Sequence, residues 1–268
     1  MVAPLSTSAL HLLDGRPWSD SPWVDPLSLL GCYTSFAVDP NGSVVDLDAH
    51  LARLRADSVV LHGQCLPDDV VRRAAAHHAG LVGAPTRLRV AVLARTPPLQ
   101  PQQVLELHLA TSSRPLAAPS GASWRVQTVQ HVRTLPGVKA VEPFSLLHHK
   151  RQARLDGVDD VLFARGEQLL EGTSWGLAAV GHDSVVVPLE DVLPSLGAAR
   201  LAAATGLPVE HRPVRRGELA GLRLLLATTA LTPATAIGEV DGTPVPVDAD
   251  LLAHLRSACA AAPATPLR

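Results

Sequence analysis

The stretch LLGCYTSFAVDPNGSVVDL, residues 29–47, constrains the fold more than any other. Two strand-like apolar runs flank D-P-N-G-S, and Asn41-Gly42 suits the left-handed backbone of a tight hairpin turn. A chain that opens on paired strands needs further strands and an apolar cover. Asp46 or Asp48 can cap a helix that places Leu51, Leu54, Val59 and Leu61 near helical spacing, and a second helix is predicted from Pro67 to Leu81. RLRVAVLAR (87–95) and QVLELHLAT (103–111) then read as strands, so the first half is β-β-α-α-β-β.

RPLAAPSGAS, 114–123, breaks both periodicities and is the linker candidate, giving domains at 1–116 and 117–268. Beyond it the pattern predicts a strand at WRVQTVQHV, a helix through Leu146 to Leu155 and strands at DDVLFAR, GLAAVG and SVVVPL. A helix from Leu196 to Thr205, a strand near VEHRPV and the apolar LRLLLATT follow. The fold class expected is mixed α/β in two domains.

At 268 residues and 47% apolar content the chain can bury a sizeable core, and its net charge of −2 leaves no basic footprint for nucleic acid. No basic leader with an apolar core opens the sequence and no apolar run is long enough to span a membrane, so a cytoplasmic protein is expected. Cys32, Cys65 and Cys259 form no C-x-x-C pair, and reduced thiols are the default.

Only two of the 23 basic residues are lysines, Lys139 and Lys150, both within GVKAVEPFSLLHHKRQA. A primary amine can form a Schiff base with a carbonyl; a guanidinium, protonated and delocalised, cannot. An arginine-biased composition also leaves few lysines, so the surroundings must decide. Lys139 follows Leu135-Pro136-Gly137 at the end of a strand, whereas Lys150 sits beside Arg151 on a helix as an ordinary basic turn. Further on, Glu171 ends a β-run before a Gly-Thr-Ser turn, where a carboxylate can hold a pyridine nitrogen protonated. Metal chemistry is not expected: His148 and His149 are adjacent and diverge by about 100° on a helix, unlike ligands at i and i+4. There is no G-x-S-x-G for a serine hydrolase.

In these segments the sequence resembles the class IV aminotransferases, the fold-type IV pyridoxal-phosphate enzymes that include branched-chain and D-amino-acid aminotransferases and aminodeoxychorismate lyases. The resemblance runs from about Gly31 to Gly242. GCYTSFAV with DAHLARL resembles the opening hairpin and H-x-x-R-L helix, VKAVEPF the lysine segment, and GVDDVLFARGEQLLEGTSWGL the stretch that ends in E-G-S and asparagine. LPSLGAAR and LLATTALTPATAIGEVDG resemble the phosphate-binding helix start and the final strand and turn.

The resemblance implies a smaller N-terminal α/β domain, a larger barrel-like C-terminal domain carrying the lysine, and a homodimer. It implies pyridoxal 5'-phosphate as cofactor, with Lys139 as the lysine of the internal aldimine and the proton carrier. Arg53 would bind the phosphate, together with Gly197, Ala198, Ala199 and the Thr229 hydroxyl, and Glu171 would pair with the pyridine nitrogen. Tyr33 and Arg95 fall at positions that line the substrate.

Several positions depart from the family pattern. Gly176 stands for an asparagine, Ala199 for a threonine, Ala230 for a second hydroxyl and Phe144 for a tyrosine, and DSPWVDPLSLLGC replaces the usual opening run. Each lost hydrogen bond to a charged group costs roughly 1.5–3 kcal/mol. Three readings follow: an aminotransferase working between amino acids and 2-keto acids; a lyase of the aminodeoxychorismate type, which GCYTS favours; and a family fold with weakened cofactor binding.

Overall fold

The computed structural model describes residues 10–18, 30–94, 104–116, 121–141 and 144–268. The chain divides into two compact units. The first comprises Met1–Ala117, Val138–Val141 and Pro263–Arg268, the second Ala118–Gly137 and Glu142–Ala262. The main division falls within the Pro/Ala/Gly-rich stretch singled out as a linker. The lysine segment, expected with the second half, groups with the first unit, because Val138 is buried in that unit's core and Ala140 bridges Cys32.

The first unit contains β1 (His11–Leu13), β2 (Arg16–Pro17), β3 (Leu30–Val38), β4 (Ser43–Val45), α1 (Leu47–His62), α2 (Asp68–Val82), β5 (Thr86–Ala94) and β6 (Leu107–Arg114). Five strands form an antiparallel sheet in the order β2-β1-β6-β5-β3, with β3 and β5 paired from Leu30↔Ala94 to Val38↔Thr86. Alternation along β3 sends Cys32, Phe36 and Val38 to a core shared with Leu88, Val90 and Val92 of β5 and with Leu51, Leu54 and Val71 of the helices.

The predicted hairpin forms only as a turn. Asp39 Oδ1 accepts the Asn41 and Ser43 N–H groups, and Gly42 takes φ +77. Its second arm then leaves β3: β4 pairs antiparallel with the C-terminal strand Ala264–Pro266, while β3 takes β5. Helix α1 begins at Leu47, yet Asp46 is left-handed at φ 57 with no side-chain cap, and Val59 stays 48% exposed because the buried stripe runs through Leu54, Ser58 and Leu61.

In the second unit follow β7 (Trp124–Gln130), α3 (Phe144–Leu155), β8 (Asp160–Arg165), β9 (Gln168–Gly172), β10 (Gly176–Val180), β11 (Val185–Val186), α4 (Leu196–Thr205), β12 (Val209–Glu210), β13 (Val214–Arg215), β14 (Leu224–Thr228), β15 (Thr235–Val240), β16 (Thr243–Pro244) and α5 (Ala249–Ala260). The last strand, β17 (Ala264–Pro266), is the one that pairs with β4 of the first unit. The order β10-β14-β15-β7-β8-β9 closes on itself through the Gly176↔Glu171 pair, which makes a barrel. Leu162, Leu169, Leu177, Leu225 and Ile237 form one apolar cluster of this unit, while α4 and α5 cover Leu224 and Leu226 with Leu201 and Leu255. This mixed α/β fold with a strand barrel is the class the sequence leads to. Among the described residues no helix is long and apolar enough to cross a membrane.

Candidate active site

Lys139 is held by its backbone. Its N–H donates to Asp57 Oδ2 at 3.1 Å and its carbonyl accepts the Tyr33 N–H at 3.0 Å, so the segment lies along β3 like a short extra strand. The Lys139 amine sits 4.9 Å from the centroid of the Tyr33 ring, a cation–π arrangement that aims Nζ across the face of β3 opposite the helices.

Arg53 rises from the middle of α1. Its Nη2 donates to Thr34 Oγ1 at 3.3 Å, and that hydroxyl lies 2.7 Å from His50 Nδ1. Burial pulls the guanidinium below its usual range, while the Asp57 carboxylate and Tyr33 oppose that shift. It stays a cation. Asp57, 3% exposed, therefore serves two predicted residues at once, facing Arg53 one helical turn away and fixing the Lys139 backbone. Sequence reasoning missed it, although the i, i+4 pair Arg53/Asp57 was there to read. In the first unit Lys139 and Tyr33 thus meet on one face of β3, Arg53 bonds Thr34 on the helix side, and Asp57 links the two sets.

A second set assembles in the second unit. Glu171 is 4% exposed; its Oε2 accepts the Leu193 N–H at 3.2 Å and its Oε1 lies 3.6 Å from Arg133 Nη1. Arg133 was not predicted; the signal was its place six residues before Lys139, just past β7. Gly176, opposite Glu171 in register, carries the link to the start of α4. Its carbonyl accepts the Thr228 hydroxyl at 2.9 Å, and Thr228 Oγ1 lies 3.0 Å from Ser195 Oγ, the N-cap of α4.

At that helix start the Ala198 N–H donates to Ser195 Oγ and the Ala199 N–H to Ser195 O, so Ala199 contributes no spare donor. The Leu196 and Gly197 amides lie where a helix offers donors without an intrahelical partner. A Cβ on Gly197 would come within 2.3 Å of Thr229 O, so only glycine lets α4 press against the Thr229 backbone. The Thr229 hydroxyl accepts the Leu231 and Thr232 N–H groups at 3.1 and 2.8 Å and lies 3.0 Å from the Thr232 hydroxyl, with which it shares a hydrogen bond.

Lys150 has a structural explanation: Nζ lies 3.1 Å from the fully buried Asp160, whose carboxylate also accepts from Thr173 Oγ1 and Trp175 Nε1. Phe144 is 82% exposed. His149 stacks against His131 and Phe163, and burial lowers its pKa, with the two neighbouring histidines adding to the shift. Arg95 lies outside the described residues.

A sequence model of amino-transferase class IV matches residues 31–240. The chain belongs to this family. No curated protein matches it by sequence at a significant level. Solved structures share the fold of this class IV chain. A branched-chain aminotransferase from Thermoproteus uzoniensis with norvaline matches at TM-score 0.78 and 18% identity over 97% of this chain and 99% of that one. A hypothetical aminotransferase from Mycobacterium tuberculosis in a PLP-bound form matches at TM-score 0.73 and 18% identity, over 94% and 98% of the two chains. A protein from Legionella pneumophila described as a 4-amino-4-deoxychorismate lyase matches at 0.74 and 16%, over 88% and 94%.

Proposed function

We propose that this chain is a pyridoxal-phosphate-dependent aminotransferase that exchanges an amino group between an amino acid and a 2-oxo acid, with Lys139 as its reactive amine. The observation that carries the reading is the Lys139 amine poised over Tyr33 on a backbone fixed by Asp57, the carboxylate that also faces the part-buried Arg53. The residues present fit the cofactor. The Leu196 and Gly197 amides at the start of α4 are donors without an intrahelical partner, and Glu171 is a buried carboxylate at the end of β9.

When bound, pyridoxal phosphate supplies an electrophilic aldehyde and an electron-withdrawing ring. In the first unit Arg53 would suit the phosphate as a guanidinium, and in the second the amides at the start of α4 would suit it as N–H donors. Glu171 would keep the ring nitrogen protonated. Lys139 Nζ would hold the aldehyde end of the cofactor and would carry a proton to and from the substrate α-carbon. Thr34 holds Arg53 from the helix side.

The alternative, a lyase of the aminodeoxychorismate type, rests on GCYTS, and two of those residues pack toward α1. Thr34 is fully buried against His50 and Arg53, and the Cys32 thiol, pushed up to about 12 by burial, faces the Leu54 carbonyl. Both serve α1; of GCYTS, Tyr33 and Ser35 lie on the other face. Likewise Gly176 is not a lost ligand: a Cβ there would stand 2.4 Å from Ser195 Cβ.

Borohydride reduction of the protein with added pyridoxal phosphate, followed by peptide mapping, tests the proposal. Labelling at Lys139, and conversion of the absorbance by a simple amino acid without pyruvate release, is expected. Label on Lys150, or on neither lysine, overturns it.

A further inference from the structure

Asp160, the first residue of β8, is a fully buried carboxylate to which the reading above gives no part. The Thr173 hydroxyl donates to it, lying 2.9 and 3.0 Å from its two oxygens, and the Trp175 indole N–H donates to Oδ2 at 3.2 Å. Lys150 Nζ reaches the same Oδ2 at 3.1 Å, and the Val161 N–H donates to Oδ1 at 2.9 Å. Thr173 and Trp175, both buried, stand in the connection that leaves β9 at Gly172 and enters β10 at Gly176. Two side-chain donors of that connection therefore end on one carboxylate. Its backbone is drawn tight as well: the Gly172 N–H donates to Trp175 O at 2.9 Å, and a Cβ on Gly172 would fall 1.9 Å from the indole. The residue just before the connection is Glu171, whose Oε2 accepts the Leu193 N–H and whose Oε1 lies 3.6 Å from Arg133.

Stability alone is a weak reason for such a network. Desolvating a carboxylate and an ammonium costs about what their attraction returns, so an apolar pair of the same volume would hold this corner of the barrel as well or better. What the charged network adds is direction. Hydrogen bonds to a carboxylate are short and oriented, and with two of them fixed the connection is left with one arrangement. Removing the acceptor leaves both buried donors unpaired, so the alternatives are disfavoured. Lys150 completes the set from α3: its side chain is 38% exposed, and the ammonium keeps contact with water while balancing a carboxylate that has none. The rigidity falls at the residue next to Glu171, where the place of a second carboxylate matters to the chemistry.

We propose that Asp160, with Lys150 as its counter-ion, is a positioning residue for Glu171: by clamping Thr173 and Trp175 it keeps the Glu171 carboxylate on the Leu193 amide, the place from which it would hold a ring nitrogen protonated. This rests on the pyridoxal-phosphate reading, and the test separates the two. The first measurement needs no cofactor. Hydrogen exchange of the Leu193 amide is compared with that of the β14 amides, which follow the stability of the barrel. In Asp160→Asn, Leu193 is expected to exchange at least about tenfold faster relative to β14, equivalent to 1.4 kcal/mol. Lys150→Gln is expected to move it in the same direction, and Lys150→Arg, which keeps the charge, to restore it.

The second measurement compares the Kd of pyridoxal phosphate with that of its analogue carrying CH in place of the ring nitrogen. The parent is expected to prefer the nitrogen, Glu171→Gln to lose that preference, and Asp160→Asn to reduce it at least about tenfold. A merely structural role would lower the urea midpoint, speed exchange at Leu193 and in β14 alike and leave the preference intact, and that result overturns the proposal. Should Asp160→Asn fail to fold, Lys150→Gln carries both readouts, and an unmoved Leu193 amide in it overturns the proposal as well. Leu193 exchange that follows Asp160 in a protein binding neither compound removes the cofactor reading and leaves the positioning role. A parent that prefers the nitrogen, with Leu193 indifferent to Asp160 and Lys150, overturns the positioning role alone.

Discussion

Three glycines decide more of the second unit's site than its polar residues do. Gly172 lies so close to Trp175 that a Cβ would fall 1.9 Å from the indole, Gly176 so close to Ser195 that a Cβ would fall 2.4 Å away, and Gly197 is pressed to the Thr229 backbone. Each allows one segment to touch another, and together they bring Glu171, the α4 N-cap and the Thr228–Thr229 strand end into one cluster. The sequence comparison treated Gly176 as the loss of an asparagine; sterically it is a requirement of this chain's packing. Gly176→Asn should therefore not improve cofactor retention. Its Cβ must displace Ser195 and disturb the Ser195–Thr228 hydrogen bond, so a stability loss of about 1–3 kcal/mol is expected, read as a lower urea midpoint. An unchanged midpoint with tighter pyridoxal-phosphate binding would show that the family's asparagine fits and that the contact has been misread.

At the scale of elements, α2 is docked through a histidine. His78 is fully buried, its Nδ1 2.8 Å from Thr111 Oγ1 on β6, and burial, aided by His11 and His77, lowers its pKa to about 4. A base whose folded pKa lies below its unfolded value of about 6.5 is neutral in the native state and protonated in the unfolded one across the interval between them. Its stabilising contribution is complete above pH 6.5 and is lost progressively as pH falls toward 4, by an amount on the order of a few kcal/mol. His78→Gln, which keeps a donor for Thr111, should flatten the pH dependence of the urea midpoint between 6.5 and 4; an identical slope in the variant sinks this account. The helices themselves were legible: α2 and α4 begin and end within a residue of expectation, because their apolar spacing and their flanking Pro67, Ser195 and Gly206 are local signals. The partners of the strands were not. β4 takes β17 from the far end of the chain, and α5 with its Asp248 cap went unread, because period and turn chemistry say where a strand begins and nothing about which remote strand it pairs with. The site was half-legible for the same reason. Lys139, Arg53 and Glu171 carry side-chain chemistry visible in the sequence, whereas Asp57, Arg133 and Asp160 acquire meaning only through register and close approach.

Across the whole molecule, the first unit is sewn together by pieces distant in sequence. Residues 138–141 lie along β3 through the Tyr33–Lys139 and Val141–Gly31 hydrogen bonds, and the C-terminal strand lies along β4. Leu267 is buried in the same core as Leu51 and Val71, its N–H donates to Gly42 O, and Arg72 of α2 donates to Pro266 O. The last residues therefore complete a core that begins more than two hundred residues earlier, and closing so long a loop is repaid only by contacts made at the end of folding. Ending the chain after Ala262 removes β17, exposes the edge of β4 and takes a buried leucine out of the core, a loss of about 2–5 kcal/mol from the side chain alone. Hydrogen exchange can follow where that loss is felt. Protection should fall in β4, α1 and α2, and the Lys139 amide, whose acceptor Asp57 rides on α1, should exchange faster, while β10 and β14, which pair with each other inside the second unit, keep their protection. Equal loss of protection in both sets of strands would mean that the two units unfold as one, and that the C-terminal strand stabilises the molecule as a whole instead of the unit that holds the lysine.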